Sequence, residues 1–192
     1  MLRRFVQRVV QLFVAPHETF DEIAEEPTSV DRLIAGTLVP LAFLGPIATW
    51  IGMHHFDKTW DAAHGYLVPP EAIFAAGATT LFATIVSILV LAGIFVLIAP
   101  MYGSSRDYRS ALKVSTWGAV PVLLASATLV LPVMVMLTVV ALLHTLYLYW
   151  VGVGRVLKVP AGDQTEFVGI SLTLLAGLST LAGAAASSTG LF

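Results

Sequence analysis

From Glu71 to Ala99 the chain runs for about 28 residues with no charge after the first, longer than the roughly 20 helical residues that cross a hydrocarbon core. A segment of that kind can be a membrane helix and little else. Four further apolar stretches follow the same logic: about 33–53, 110–131, 133–153 and 167–187. Composition agrees with them. The 192 residues are 57% hydrophobic and only 11% charged, with a mean hydropathy of +0.87. A water-soluble domain carries about a quarter charged residues, so an aqueous surface is excluded for most of this chain. The expected fold is therefore all-α, a polytopic membrane helix bundle of five transmembrane helices in one domain over residues 32–187.

The spans differ in character. Pro40, Gly45 and Pro46 predict a kink or break in the first, and Pro121 another in the third. The second exceeds the membrane thickness, so it must tilt or project. Pro132 leaves almost no loop between the third and fourth, which predicts a tight antiparallel hairpin. The fifth is rich in Gly, Ala, Ser and Thr, and Gly169, Gly177 and Gly183 give it a small-residue face that another helix can approach.

Residues 1–31 precede the bundle. Leu2, Phe5, Val6, Val9, Val10, Leu12 and Phe13 recur at helical spacing, with Arg3, Arg4, Gln7, Arg8 and Gln11 on the remaining wheel. Such a helix lies in the headgroup region or packs on the ends of the bundle. The start does not read as a cleavable signal. Glu18, Asp21, Glu22, Glu25 and Glu26 then form a short acidic helix, either a dock for a basic partner or a solvated face. Pro27 ends it, and Thr28, Ser29 and Asp31 offer caps for the next helix.

Basic residues orient the whole. Arg3, Arg4, Arg8, Arg32, Arg106, Arg109, Lys113, Arg155 and Lys158 fall on one side of the threading, and only Lys58 falls on the other. Positive loops stay in the cytoplasm, which predicts the N-terminus inside and residues 188–192 as an external tail.

Chemistry is sparse. The external loop holds His54, Asp57, Asp61 and His64, which on a helix would occupy about 80° of the wheel. Imidazole and carboxylate on one face suit zinc or another divalent ion; the more ordinary reading is an amphipathic interfacial helix with Trp60 and Tyr66 facing lipid and the polar groups facing water. His144 is the ionisable residue deep in a span, as a functional group or as a hydrogen-bonded helix neighbour. No phosphate-cradling loop, nucleophile elbow or HExxH is present, so no catalytic residue, and no cofactor beyond that metal, is expected. A net charge of -2 gives no reason to expect nucleic acid as a partner.

Several segments in order carry a resemblance. Pro16-His17-Glu18-Thr19-Phe20 comes first, then Pro40-Leu41, then Ala99-Pro100-Met101-Tyr102-Gly103 and Asp107-Tyr108-Arg109-Ser110-Ala111-Leu112-Lys113. Trp117-Gly118-Ala119-Val120-Pro121 and Leu146-Tyr147-Leu148-Tyr149-Trp150-Val151-Gly152 complete the set. Over roughly 15–187 the chain resembles bacterial members of the Yip family, the Ypt/Rab-interacting membrane proteins. The resemblance implies five spans with a cytoplasmic N-terminus, in the cytoplasmic membrane of a bacterium. Eukaryotic relatives bind Rab GTPases, but here the N-terminal segment is short and their Asp-Leu-Tyr-Gly-Pro type of motif appears only as Pro-Met-Tyr-Gly at 100–103, so a Rab-type GTPase is not an expected partner. Two functions are consistent with these features. One is a non-enzymatic scaffold or accessory subunit binding another membrane protein, or itself, through the fifth span and loop residues such as Tyr102, Arg106 and Arg109. The other is a transporter or channel for a small solute or a divalent metal.

Overall fold

A computed structural model describes residues 2–55, 70–130 and 134–188. The described residues are helical, with no strand among them. In chain order the helices are α1 (Leu2–Val14), α2 (Pro16–Glu25), α3 (Val30–Leu33), α4 (Val39–Ala42), α5 (Leu44–His55), α6 (Pro70–Ile98), α7 (Tyr108–Gly118), α8 (Val120–Ala125), α9 (Val135–Arg155) and α10 (Gln164–Ser188). Tighter or wider turns join some of them: a π segment at Ile34–Leu38 and 3-10 turns at Ala99–Tyr102 and Ser126–Val130.

Among the described residues, four stretches are long and apolar enough to cross a membrane: Val30–Gly52, Glu71–Tyr102, Met136–Arg155 and Gln164–Ser187. Each lies within a few residues of an expected span. Large apolar side chains such as Phe74, Phe82, Leu97, Met136 and Leu181 stand exposed along them, a cost in water and the normal state in lipid. The protein is a multi-pass membrane protein.

The expected third span, 110–131, is helical but broken into α7, α8 and the 3-10 segment, none of membrane length. The break has a local cause. Pro121 has no N–H to offer Trp117, and Gly118-Ala119 lies at the point where that bond is missing. The N–H of Val122, near the start of α8, finds the Thr145 hydroxyl of α9 instead, at 3.3 Å. The first span shows the expected kinks for the same reason. The helix widens into π turns just before and around the residues that lose a bond to Pro40, and it turns at Phe43 ahead of Pro46. Ser29 caps α3 by accepting from the Arg32 N–H at 3.4 Å. Pro132 lies outside the described residues.

Contacts divide the chain into two compact units. The second comprises 28–86 and 118–147. In it α5 packs along Ser126–Val130 and α8, with Gly45 against Ser126. The first comprises 1–27, 87–117 and 148–192. Its centre is aromatic. Phe95 of α6 meets Phe167 of α10 at 5.5 Å and Tyr149 of α9 edge-on at 6.2 Å. Tyr102 stands edge-on to Phe167 at 5.4 Å, and the Tyr149 hydroxyl reaches the Ser115 carbonyl of α7 at 3.4 Å.

Candidate functional site

Polar chemistry concentrates in the first unit, where α1 and α2 close over α7 and α9. The α2 sequence splits cleanly. Thr19, Phe20 and Ile23 are buried, while Glu18, Glu22 and Glu25 face outward. Phe20 is fully buried against α9 at a glycine. A Cβ on Gly152 would stand 2.9 Å from Val114 Cγ1 and 3.0 Å from Phe20 Cε1, so this seat exists only because position 152 has no side chain.

Lys113 secures the end of α2. Its side chain is only 5% exposed, and Nζ donates to the carbonyls of Ala24 at 3.2 Å and Glu26 at 2.7 Å. These oxygens lie at the helix C-terminus, where carbonyls lack intrahelical donors and the dipole favours a cation. The Glu26 carboxylate pairs with Arg8 of α1. The Arg8 guanidinium lies over the Trp117 ring, 5.5 Å from its centroid, and Phe5 packs on the same ring at 6.1 Å. Asp21 pairs with Arg155 at 3.2 Å. Part of the acidic run is thus consumed inside the chain. On the amphipathic α1, Leu12 is buried, while Val6, Val10, Phe13 and Val14 leave apolar surface exposed.

The segment between α6 and α7 is held just as specifically. Gly103, at φ 70, ends the 3-10 turn in the left-handed conformation. Its N–H bonds the Pro100 carbonyl at 3.2 Å and the Ser104 N–H bonds Ala99 at 3.0 Å, the paired bonds of a Schellman closure. The Ser104 hydroxyl then donates to the Leu157 carbonyl, and the Tyr102 hydroxyl to Glu166 at 3.1 Å. Asp107 caps α7, accepting from the Ser110 hydroxyl at 2.5 Å and from the N–H groups of Ser110 and Arg109 at 3.0 and 3.2 Å. The Ser110 hydroxyl, outweighing partial burial, draws the Asp107 carboxyl below its ordinary range. A lowered folded-state pKa makes this cap complete at neutral pH and weaker as the pH falls into the carboxylate range.

The sequence candidates fall into three groups. Tyr102 is half-buried, its ring against Phe167 and its hydroxyl on Glu166, whereas Arg106 and Arg109 stay exposed. Gly169, Gly177 and Gly183 lie on the uncovered length of α10 with open space where a side chain would be. Gly169, Thr173 and Gly177 follow at i, i+4 and i+8, and Glu166, Gly169, Ile170, Thr173 and Leu174 line a shallow groove of about 390 Å³. The hydroxyls of Thr173 and Thr180 are satisfied within the helix, by Gly169 and Ala176. His144 is half-buried on α9, its ring 5.9 Å from Tyr147. Of the suggested metal ligands, His54 lies near the end of α5, while Asp57, Asp61 and His64 lie outside the described residues. Among the described residues no three His, Asp or Glu side chains converge as metal ligands.

Sequence reasoning counted Lys113 only as a loop charge and passed over Thr145, Gly152 and the Ser104 tether. A signal for two of these, Lys113 and Gly152, lay in the resemblance itself. Phe20, Lys113 and Gly152 come from three separate stretches that carry it, and the fold brings those stretches together. No curated protein and no solved structure matches the chain. Residues 10–184, nearly its whole length, match the family model of the Yip1 domain, and the chain belongs to that family of membrane proteins.

Proposed function

We propose that this protein is a non-enzymatic scaffold or accessory subunit that holds another membrane protein, or a second copy of itself, against α10. One observation carries the reading. Of the four membrane-length stretches, α10 is the least covered by its own chain, with 17% of its apolar window buried against 33% for each of the others. Its open face is built of the small residues that let two helices approach in lipid. Native mass spectrometry of the full chain from mild detergent is expected to show a discrete partner or a dimer. Gly177→Leu fills open space on this face, so it should remove the partner without moving the unfolding midpoint. A monomer in every detergent, or a partner indifferent to Leu at 177, argues against the reading.

The same proposal includes five crossings, with 108–130 as the broken one, and a cytoplasmic N-terminus in a bacterial inner membrane. The charges support it. Arg3, Arg4, Arg8, Arg106, Arg109, Lys113, Arg155 and Lys158 all belong to the first unit, which gathers three sequence-distant loops into one cluster. Reporter fusions after residue 105 and after residue 160 should both report cytoplasm, and a fusion at the C-terminus the outside. Both chain ends in one compartment would refute the five-crossing count.

A further inference from the structure

At the end of α9 the first unit carries a cleft of about 350 Å³, near the lower limit for small-molecule sites. His17 of α2, Trp150, Gly154 and Arg155 of α9, Lys158 and Gln164 of α10 line it. Two of these are basic and none is an acid.

Their arrangement leaves positive charge available. Arg155 spends Nη1 on Asp21 at 3.2 Å, and its Nη2 stands 3.5 Å from His17 Nδ1. A guanidinium has five donors, so Arg155 retains capacity for another acceptor. Lys158 is exposed and forms no ion pair among the described residues. Its backbone is at φ 60, the left-handed conformation that non-glycine residues rarely adopt. The turn around it is fixed by the Val159 N–H reaching the Val153 carbonyl at 3.2 Å, so the lysine is held at the rim by the backbone. Gln164, whose amide donates to the Val159 carbonyl at 3.2 Å, opens α10 on the opposite side.

The remaining wall is apolar and belongs to the last turns of a membrane-length helix. Met136–Arg155 is one of the four membrane-length stretches, so Arg155 marks its limit and the Trp150 ring lies just inside it. Tryptophan in that position sits at headgroup depth. A ligand here meets cations at one end and hydrocarbon at the other. We infer that the cleft binds the phosphate of an anionic glycerophospholipid between Arg155 and Lys158, with the glycerol against Trp150.

The test uses the full-length protein in detergent, titrated with phosphatidylglycerol or phosphatidylcholine and followed by native mass spectrometry. Phosphatidylglycerol should bind more tightly than phosphatidylcholine. Lys158→Gln should weaken it about fivefold, the effect of one cation near an anionic headgroup. Lys158→Gly removes the cation and relieves the left-handed residue, so it should weaken the lipid by a similar factor while unfolding no earlier than the native chain. Arg32→Gln, on a residue outside the cleft, should bind as the native chain does. Equal binding of the two lipids, or native affinity in both Lys158 variants, overturns the assignment. Displacement of phosphatidylglycerol by millimolar inorganic phosphate would assign the cleft to a soluble anion and overturn the lipid.

Discussion

Phe20→Ala is expected to lower the stability of the first unit by about 3–5 kcal/mol, the range for removing a buried phenyl ring. Phe20 has no exposed surface, and its ring ends against Val114 and the bare backbone of Gly152. Collapse into the space is limited, because α7 and α9 on either side are fixed by the Tyr149–Ser115 contact. The readout is the thermal midpoint in detergent, followed through Trp117 emission, since Trp117 is packed under α1 in the same unit. Gly152→Ala approaches the seat from the other side and should cost about 1–3 kcal/mol by overpacking. The two changes share one volume, so the double variant should lose less than the sum. Strict additivity would mean that Phe20 and Gly152 do not meet.

Lys113→Met should cost roughly 2–3 kcal/mol, the scale of charge-assisted hydrogen bonds whose acceptors are left behind. The methionine keeps the stem's volume and removes only the ammonium that holds the Ala24 and Glu26 carbonyls. Its effect should be local. Amide exchange in 16–26 should accelerate and trypsin should reach Arg8 sooner, while α6 and α10 keep their protection. Unchanged exchange across α2 would show that the Arg8–Glu26 pair and the Phe20 seat hold the helix without Lys113.

The membrane helices were legible because their signal is one-dimensional. A run from Glu71 to Ala99 needs no partner to declare itself, and Pro40, Pro46 and Pro121 place breaks by removing a donor at a known offset. The broken third helix was legible as a kink but not as pieces too short to cross alone, since that depends on Thr145 being available to the freed Val122 N–H. Lys113 shows the same limit. Charge counting assigns it to a loop, and only the packing of α2 on α7 reveals that it is buried and bonded. Gly152 reads as an ordinary small residue until the Phe20 ring is set against it. Residues whose role depends on a neighbour distant in the chain leave no periodic trace.

That distance also sets a schedule. Asp21 and Arg155 are 134 positions apart, and Lys113 lies 89 positions beyond Ala24. A ribosome making this chain completes α2 long before the residues that seat it, because Lys113 and Gly152 are synthesised later. Until they emerge, Phe20 has no home within its own chain, and this helix comes to rest well after it is made.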